Sequence, residues 1–171
     1  MQILETKRLL LRHFHLLDAS ALRAIFADPE VMRFGDGVQT DAWIRGWLEQ
    51  TLANYGHWGF GPYALVKKEN SQIMGYCGLF YFPELAGQAE VEIGYRLARN
   101  QWGKGYASEA ALAVRDYAFQ TLSMSRLVAM IDPGNLASLA VAKKLGMVYE
   151  KEILLEGYDH PDHLYVLETP K

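Results

Sequence analysis

Residues 102–107 read Trp-Gly-Lys-Gly-Tyr-Ala; they follow a predicted strand and open a predicted helix. Gly103 and Gly105 allow the backbone to turn tightly and let a ligand approach it closely. The first amides of the following helix have no partner within that helix, and the helix dipole favours negative charge there. Lys104 adds a mobile cation beside them. This stretch therefore predicts a site for a phosphate-containing anion.

Glycine-rich turns between a strand and a helix occur in several unrelated classes of protein. A dinucleotide-binding fingerprint has a third glycine where this chain has Ser108. A P-loop ends in Gly-Lys followed by Ser or Thr, and this turn lacks that ending. Considered by itself, the turn is equally compatible with a helix start that binds no ligand.

The spacing of apolar residues predicts strands and helices on both sides of this turn. The predicted strands span residues 8–12, 62–68, 73–82, 89–97, 126–131, 147–155 and 162–168. The predicted helices begin at Asp18, Asp41, Lys104 and Leu136, and the second is expected to end at Tyr55-Gly56. Residues 83–87 are predicted to separate two strands. Strands and helices mixed in one short chain predict an α+β fold.

Length and composition restrict the protein class. A chain of 171 residues, half of them hydrophobic and 22% charged, predicts a single globular domain over residues 1–171. The formal net charge is −3 and no basic stripe is present, so we do not expect a nucleic-acid partner.

Cysteine usage and hydropathy favour the cytoplasm. Cys77 is the only cysteine, so no internal disulfide can form, and we expect it in an apolar strand of the core. No apolar run reaches the roughly 18 residues that a membrane span requires. Residues 1–8 do not resemble a signal peptide. We therefore expect a cytoplasmic protein with no membrane partner.

Residues 89–111 resemble the acetyl-CoA-binding core of the GNAT superfamily: a strand containing Glu92-Ile93-Gly94-Tyr95, a short arm, and a Gly-x-Gly-x-Ala turn. The resemblance extends to Thr6–Arg12, Asn135-Leu136-Ala137-Ser138 and Leu145-Gly146-Met147, in the expected order. The branch that the chain resembles most is the ribosomal-protein N-terminal (Rim-type) acetyltransferases. Trp102 stands where the superfamily often has Gln or Arg, a change that leaves the backbone amides intact.

This resemblance implies both a fold and a co-substrate. The implied fold is α+β, with a mixed, mostly antiparallel central sheet of about seven strands, helices on both faces, and a splay between the fourth and fifth strands. The implied co-substrate is acetyl-CoA, with no metal. Its diphosphate would contact the turn, its pantetheine arm would pair with the fourth strand, and a downstream asparagine would contact it as well. These cofactor-binding residues are Ile93, Tyr95, Leu97, Trp102, Gly103, Lys104, Gly105, Tyr106, Ala107, Ser108 and Asn135.

Attack of an amine on a thioester requires a base for the amine and an acid for the leaving thiolate. Glu90 and Glu92 lie two apart on one strand, so their carboxylates emerge on the same face, and mutual repulsion is expected to raise one pKa. By resemblance, Glu92 is the predicted base, and we place Glu90 with the acceptor. The alternative is that both face solvent opposite Val91 and Ile93.

Asn135 and Ser138 lie three apart at a predicted helix start. Capping explains both residues, with Asn135 as the N-cap and Ser138 in the first turn. The resemblance implies in addition that Ser138 protonates the CoA sulfur. Tyr149 and Tyr165 are other candidate acids, with core packing as the alternative.

The acceptor side has weaker indications. Trp58 and Phe60 lie where relatives form the acceptor wall, and packing is the alternative for both. We expect His160 and His163 at the surface or in a groove, because no carboxylate or cysteine cluster joins them at metal-ligand spacing.

The sequence therefore predicts an N-acetyltransferase that transfers acetyl from acetyl-CoA to a primary amine in a ternary complex. The acceptor is a small-molecule or peptide amine, with a protein N-terminus among the candidates. One alternative is a catalytically inactive acyl-CoA-binding sensor or interaction module, and another is a nucleotide-binding regulator. A homodimer is compatible with the sequence, which does not determine the oligomeric state.

Overall fold

A computed structural model describes residues 1–169 and contains an eight-stranded sheet. The strands are β1 (Gln2–Glu5), β2 (Leu9–Arg12), β3 (Pro62–Lys67), β4 (Ile73–Leu85), β5 (Gln88–Leu97), β6 (Arg126–Ile131), β7 (Val148–Ile153) and β8 (Asp162–Glu168). Their order across the sheet is β1-β2-β3-β4-β5-β6-β8-β7. The β5–β6 pair is parallel and the other neighbours are antiparallel. The mixed, mostly antiparallel α+β fold is thus confirmed.

In the described part of the chain, four α-helices pack against this sheet: α1 (Ala19–Phe26), α2 (Asp41–Trp58), α3 (Tyr106–Gln120) and α4 (Leu136–Leu145). Strand β3 shows how the sheet divides the core. Its residues Tyr63 and Leu65 pack with α3 and α4, whereas Ala64 and Val66 pack with α1 and α2. Because alternate residues of a strand point to opposite faces, this confirms the predicted helices on both faces.

The strand count and several boundaries differ from the prediction, most of the boundaries by one or two residues. Strand β1 was not predicted and pairs with β2, so the sheet has eight strands instead of about seven. Strand β4 continues through the expected break to Leu85, because a register shift after Phe82 accommodates Pro83. Helix α2 continues past Gly56 to Trp58, and Gly59 ends it with a left-handed φ of 77°.

Strands β5 and β6 separate soon after they meet. β5 pairs with β4 from Gln88 to Leu97, but with β6 it pairs only at Glu92 and Val128. The predicted splay between the fourth and fifth predicted strands therefore lies between β5 and β6. It leaves the β6-facing edge of β5 unpaired beyond Glu92. Within residues 1–169, no helix has both the length and the apolar content to cross a membrane.

Candidate active site

The glycine turn before α3 has the geometry of an anion site. Gly103 and Gly105 have φ angles of 71° and 79°, which disfavour any residue with a Cβ, and Gly105 is the N-cap of α3. In the described part of the chain, the backbone amides of residues 103–108 donate to no protein acceptor. Free donors at the positive end of a helix dipole suit a phosphate group.

Two lysines lie beside this turn. Lys104 Nζ donates to the carbonyl of Asn100 at 2.7 Å, which folds the side chain back along the arm. Lys144 Nζ, near the end of α4, donates to Ser108 Oγ at 3.3 Å. The sequence did not indicate Lys144, because a lysine in the last turn of a helix is already explained by the helix dipole.

Trp102 is the last residue of the short segment that joins β5 to the glycine turn. Its indole N–H donates to the carbonyl of Leu97 at 2.9 Å, so the side chain fixes the exit from β5. A direct contact of Trp102 with a cofactor stays a prediction.

Glu92 is half-buried on β5, next to the splay. Its Oε1 accepts a hydrogen bond from the backbone N–H of Met130 at 3.1 Å. Its Oε2 has no hydrogen-bond partner among the described residues and lies 3.8 Å from the position that a Cβ on Gly94 would occupy. One oxygen therefore orients the carboxylate while the other is free to accept a proton.

Burial raises the pKa of Glu92 to about 7. The Met130 amide and Arg96 oppose this rise, and the nearby Asp162 adds to it. The raised pKa itself agrees with the prediction, but Glu90 is not among its causes, so the expected repulsion between the two carboxylates is wrong. A carboxylate with a pKa near 7 is well suited to accept a proton at neutral pH.

Glu90 is buried in an ion pair instead of facing solvent. Arg126 Nε donates to both of its oxygens, at 3.0 and 3.2 Å, which explains the missing repulsion. The same guanidinium binds Glu150 and Glu168. The acceptor contact predicted for Glu90 gains no support from this geometry. Sequence spacing gives no sign of the cluster, because its members lie on four different strands.

Asn135 and Ser138 form the predicted helix cap. Asn135 Oδ1 accepts from the backbone N–H of Ser138 at 3.1 Å, so the capping explanation is confirmed. The Ser138 side chain lies beside the hydroxyl of Tyr95. Burial raises the pKa of Tyr95 to about 12, with Ser138 opposing the rise and Glu92 adding to it. A protonated phenol is therefore present near Ser138 at neutral pH, which the sequence did not indicate.

The other candidate acids and the acceptor-wall residues pack against aromatic or apolar neighbours. Tyr149 and Tyr165 meet edge to face with ring centroids 6.0 Å apart. Tyr149 is nevertheless 51% exposed, so the core-packing alternative is wrong for this residue. Trp58 is partly exposed and contacts Tyr81, with ring centroids 4.3 Å apart. Phe60 packs against the core on the α3 side. The acceptor contacts of Trp58 and Phe60 stay predictions.

Cys77 is fully buried in β4, which confirms its predicted place in the core. Burial raises the pKa of its thiol, so it is unsuited to act as a nucleophile.

His160 is exposed, as expected, but it lies among carboxylates that the sequence spacing did not indicate. Its Nε2 is 2.8 Å from Asp132 Oδ2, and its Nδ1 is 2.7 Å from Asp159 Oδ1. Asp132, His160 and Asp162 bring their polar atoms within 4.8 Å of one another. The hydrogen bond to Asp132 is the largest cause of a raised pKa for His160, and the hydrogen bond to Asp159 is the next largest. An ion-paired histidine explains this grouping, and we assign no metal to it.

Comparisons with known proteins agree with this geometry. A family model described as an acetyltransferase (GNAT) domain matches residues 8–148. The uncharacterized N-acetyltransferase p20 of Bacillus licheniformis is 34% identical over 165 residues, which cover 93% of this chain and 88% of p20.

Solved structures give the same result. An acetyltransferase from Agrobacterium tumefaciens str. C58 superposes with a TM-score of 0.84 at 30% identity, covering 99% of this chain and 95% of that one. RimL, a ribosomal L7/L12 α-N-protein acetyltransferase in complex with coenzyme A, gives 0.81 at 18% identity and 98% coverage of both chains, a likeness of fold alone. The family match and the 30% identical structure both span most of the chain, which therefore belongs to the GNAT acetyltransferase family.

Proposed function

We propose that this protein transfers an acetyl group from acetyl-CoA to a primary amine, by direct attack within a ternary complex in the cytoplasm. The observation that carries the proposal is Glu92, a half-buried carboxylate at the splay with one free oxygen and a pKa raised to about 7. A purely structural glutamate at this place would have both oxygens bound, as Glu90 does.

The residues around the splay fit acetyl-CoA. The free amides of residues 103–108, together with Lys104 and Lys144, match a diphosphate. Beyond Glu92, the unpaired edge of β5 offers backbone groups to the amides of a pantetheine arm. This assignment uses Ile93, Tyr95 and Leu97 as predicted and places the thioester where β5 leaves β6.

Each proton moved in the transfer is assigned to a side chain near the splay. Glu92 Oε2 accepts the proton of the attacking amine as its nitrogen bonds to the thioester carbonyl carbon. The carbon–sulfur bond then breaks, and the leaving thiolate takes a proton. We assign that proton to Ser138, with the adjacent Tyr95 hydroxyl as the second candidate donor. The donor hydroxyl then regains a proton from solvent, and Glu92 releases the proton of the amine to solvent, so both side chains return to their starting states.

The acceptor class is tested directly. Thiol release from acetyl-CoA is measured against a panel of amines that includes short peptides with free N-termini, polyamines, aminoglycosides and free amino acids. We expect turnover with one class and its loss in Glu92→Gln. Inactivity towards every amine, together with no binding of CoA by calorimetry, would overturn the proposal.

The same experiment separates the alternative, an inactive acyl-CoA-binding sensor. That alternative predicts CoA binding in the absence of turnover, and no effect of Glu92→Gln on either measurement.

A further inference from the structure

Arg8, the residue before β2, contacts the glycine turn that precedes α3. Its Nη1 donates to the carbonyl of Lys104 at 2.9 Å. Its guanidinium carbon lies 4.3 Å from the centroid of the Tyr106 ring. Its Nη2 is 3.5 Å from the position that a Cβ on Gly105 would occupy. One planar group therefore contacts Lys104 and Tyr106 and lies close to Gly105 between them.

Glu109, in the first turn of α3, fixes the other side of this guanidinium. Arg8 Nε donates to Glu109 Oε2 at 2.6 Å. Glu109 Oε1 accepts from the backbone N–H of Arg8 at 2.9 Å and from Thr6 Oγ1 at 2.6 Å. Burial alone would raise the pKa of Glu109, but the hydrogen bonds from Thr6 and Arg8 outweigh it and lower that pKa. The carboxylate is therefore ionised at neutral pH and holds Arg8 in place.

This arrangement constrains the glycine turn of the candidate cofactor site. Glycine loses more conformational freedom on ordering than any other residue, so a turn with two left-handed glycines and free amides is costly to hold in one shape. Arg8 ties that turn to β2 and to the first turn of α3. Preorganisation of this kind lowers the entropy lost on binding.

We propose that Arg8 is a positioning residue for the diphosphate-binding turn, held by Glu109 and Thr6, so that it acts on cofactor affinity through the Lys104–Tyr106 backbone. The inference rests on the proposed function, because it assumes that CoA binds at this turn. A role in stability alone does not account for the contacts, since a partly exposed ion pair contributes little to folding.

The test measures CoA affinity by calorimetry for the unsubstituted protein, Arg8→Ala, Arg8→Lys and a control, Arg23→Ala. Arg23 is an exposed arginine whose ion pair with Asp41 lies on α1 and α2. We expect Arg8→Ala to weaken CoA binding roughly tenfold, the equivalent of one charge-assisted hydrogen bond. Arg8→Lys should give little rescue, because an ammonium lacks the planar fork that reaches both Lys104 and Glu109. Arg23→Ala should bind as the unsubstituted protein does.

A second measurement separates positioning from general loosening of the fold. With any amine that the acceptor screen identifies, Arg8→Ala should raise the KM for acetyl-CoA and leave kcat/KM for acetyl-pantetheine, which has no diphosphate, unchanged. Glu109→Gln should behave like Arg8→Ala, and the double variant should lose no more than either single one.

The outcomes distinguish this inference from the proposed function. If the unsubstituted protein binds CoA and Arg8→Ala binds it within twofold, the positioning role is overturned alone. Full rescue by Arg8→Lys would overturn it in favour of simple charge attraction. An equal loss with acetyl-pantetheine would show that Arg8 supports the whole fold. If the unsubstituted protein does not bind CoA, the proposed function fails and this inference fails with it.

Discussion

Glu92 is partly buried, with one oxygen bound and the other free, and this environment predicts how the reaction rate depends on pH. Since burial raises its pKa to about 7, the ionised base accumulates as the pH rises through 7. We expect kcat/KM to increase over that range and then level off. Glu92→Gln should lower the rate by about 10²-fold or more and abolish the ascending limb. The measurement uses an accepted amine whose own pKa lies well below 7, and an unchanged limb in the variant would assign the titration to another group.

The same raised pKa predicts how stability depends on pH, without any knowledge of the acceptor. A carboxyl with a higher pKa in the folded state stabilises the protein fully below its unfolded value, and that contribution is lost as the pH rises through 7. Glu92→Gln stays neutral, so at pH 8 it should be more stable than the parent by on the order of 2 kcal/mol, or several degrees in Tm. At pH 4 the difference should vanish. Thermal unfolding at both values tests this, with Glu49→Gln on the exposed face of α2 as the control.

Single residues also show what sequence could and could not predict about the site. The position of Glu92 and the glycine turn followed from short-range patterns and from family resemblance. The cause of the raised pKa did not, because it is the burial of Glu92 in the folded chain, with Asp162 on another strand adding to the rise. The contact of Arg8 with the glycine turn and the proximity of Tyr95 to Ser138 were not predicted for the same reason, since both join residues far apart in the chain.

Among the secondary-structure elements, β5 and β6 set the width of the splay, and Arg126 joins them at its closed end. Glu90 is buried, so removing Arg126 leaves an unpaired carboxylate. We expect Arg126→Met to destabilise the protein by on the order of 3 kcal/mol and to weaken CoA binding. Adding Glu90→Gln should restore most of the stability. Urea unfolding measures both effects, with Arg23→Met as the matched surface control. A single variant as stable as the parent would show that Arg126 is not required at this junction.

Helix α4, which has a local signal at each end, was predicted to the residue, whereas the elements that depend on partners were not. Helix α4 matches its prediction because Asn135 caps its start and Gly146 its end. Strand β1 has four residues, too few for an alternating pattern, and exists only because β2 pairs with it. Strand β4 outlasts Pro83 because its register shifts there. Pairing with β5 therefore outweighs Pro83, which by itself predicts the end of the strand.

Considered as a whole, the molecule places Glu92 on one face of its sheet and the Tyr95 and Ser138 hydroxyls on the other. Val91 and Ile93 of β5 pack towards α3, and the alternation of a strand turns Glu92 to the opposite face, with α1 and α2. Tyr95 shares the face of Ile93 and approaches Ser138 at the start of α4. A thioester at the splay would then have its base on one face and its acid on the other, so amine and cofactor can approach from different sides.

Because the cofactor and the amine are proposed to approach from different sides of the sheet, we can predict which parts of the molecule respond to the cofactor alone. At a CoA concentration one hundred times its Kd, binding should stabilise the fold by about 2.7 kcal/mol and raise Tm by roughly 5–10 °C. Hydrogen exchange should slow at residues 103–108 and at the unpaired edge of β5, because those amides gain acceptors or cover. Residues 27–40, between α1 and α2, should exchange as before. ATP and NAD serve as controls, since a nucleotide-binding regulator would respond to them more strongly than to CoA. Protection that spread equally over residues 27–40 would contradict the two-sided arrangement.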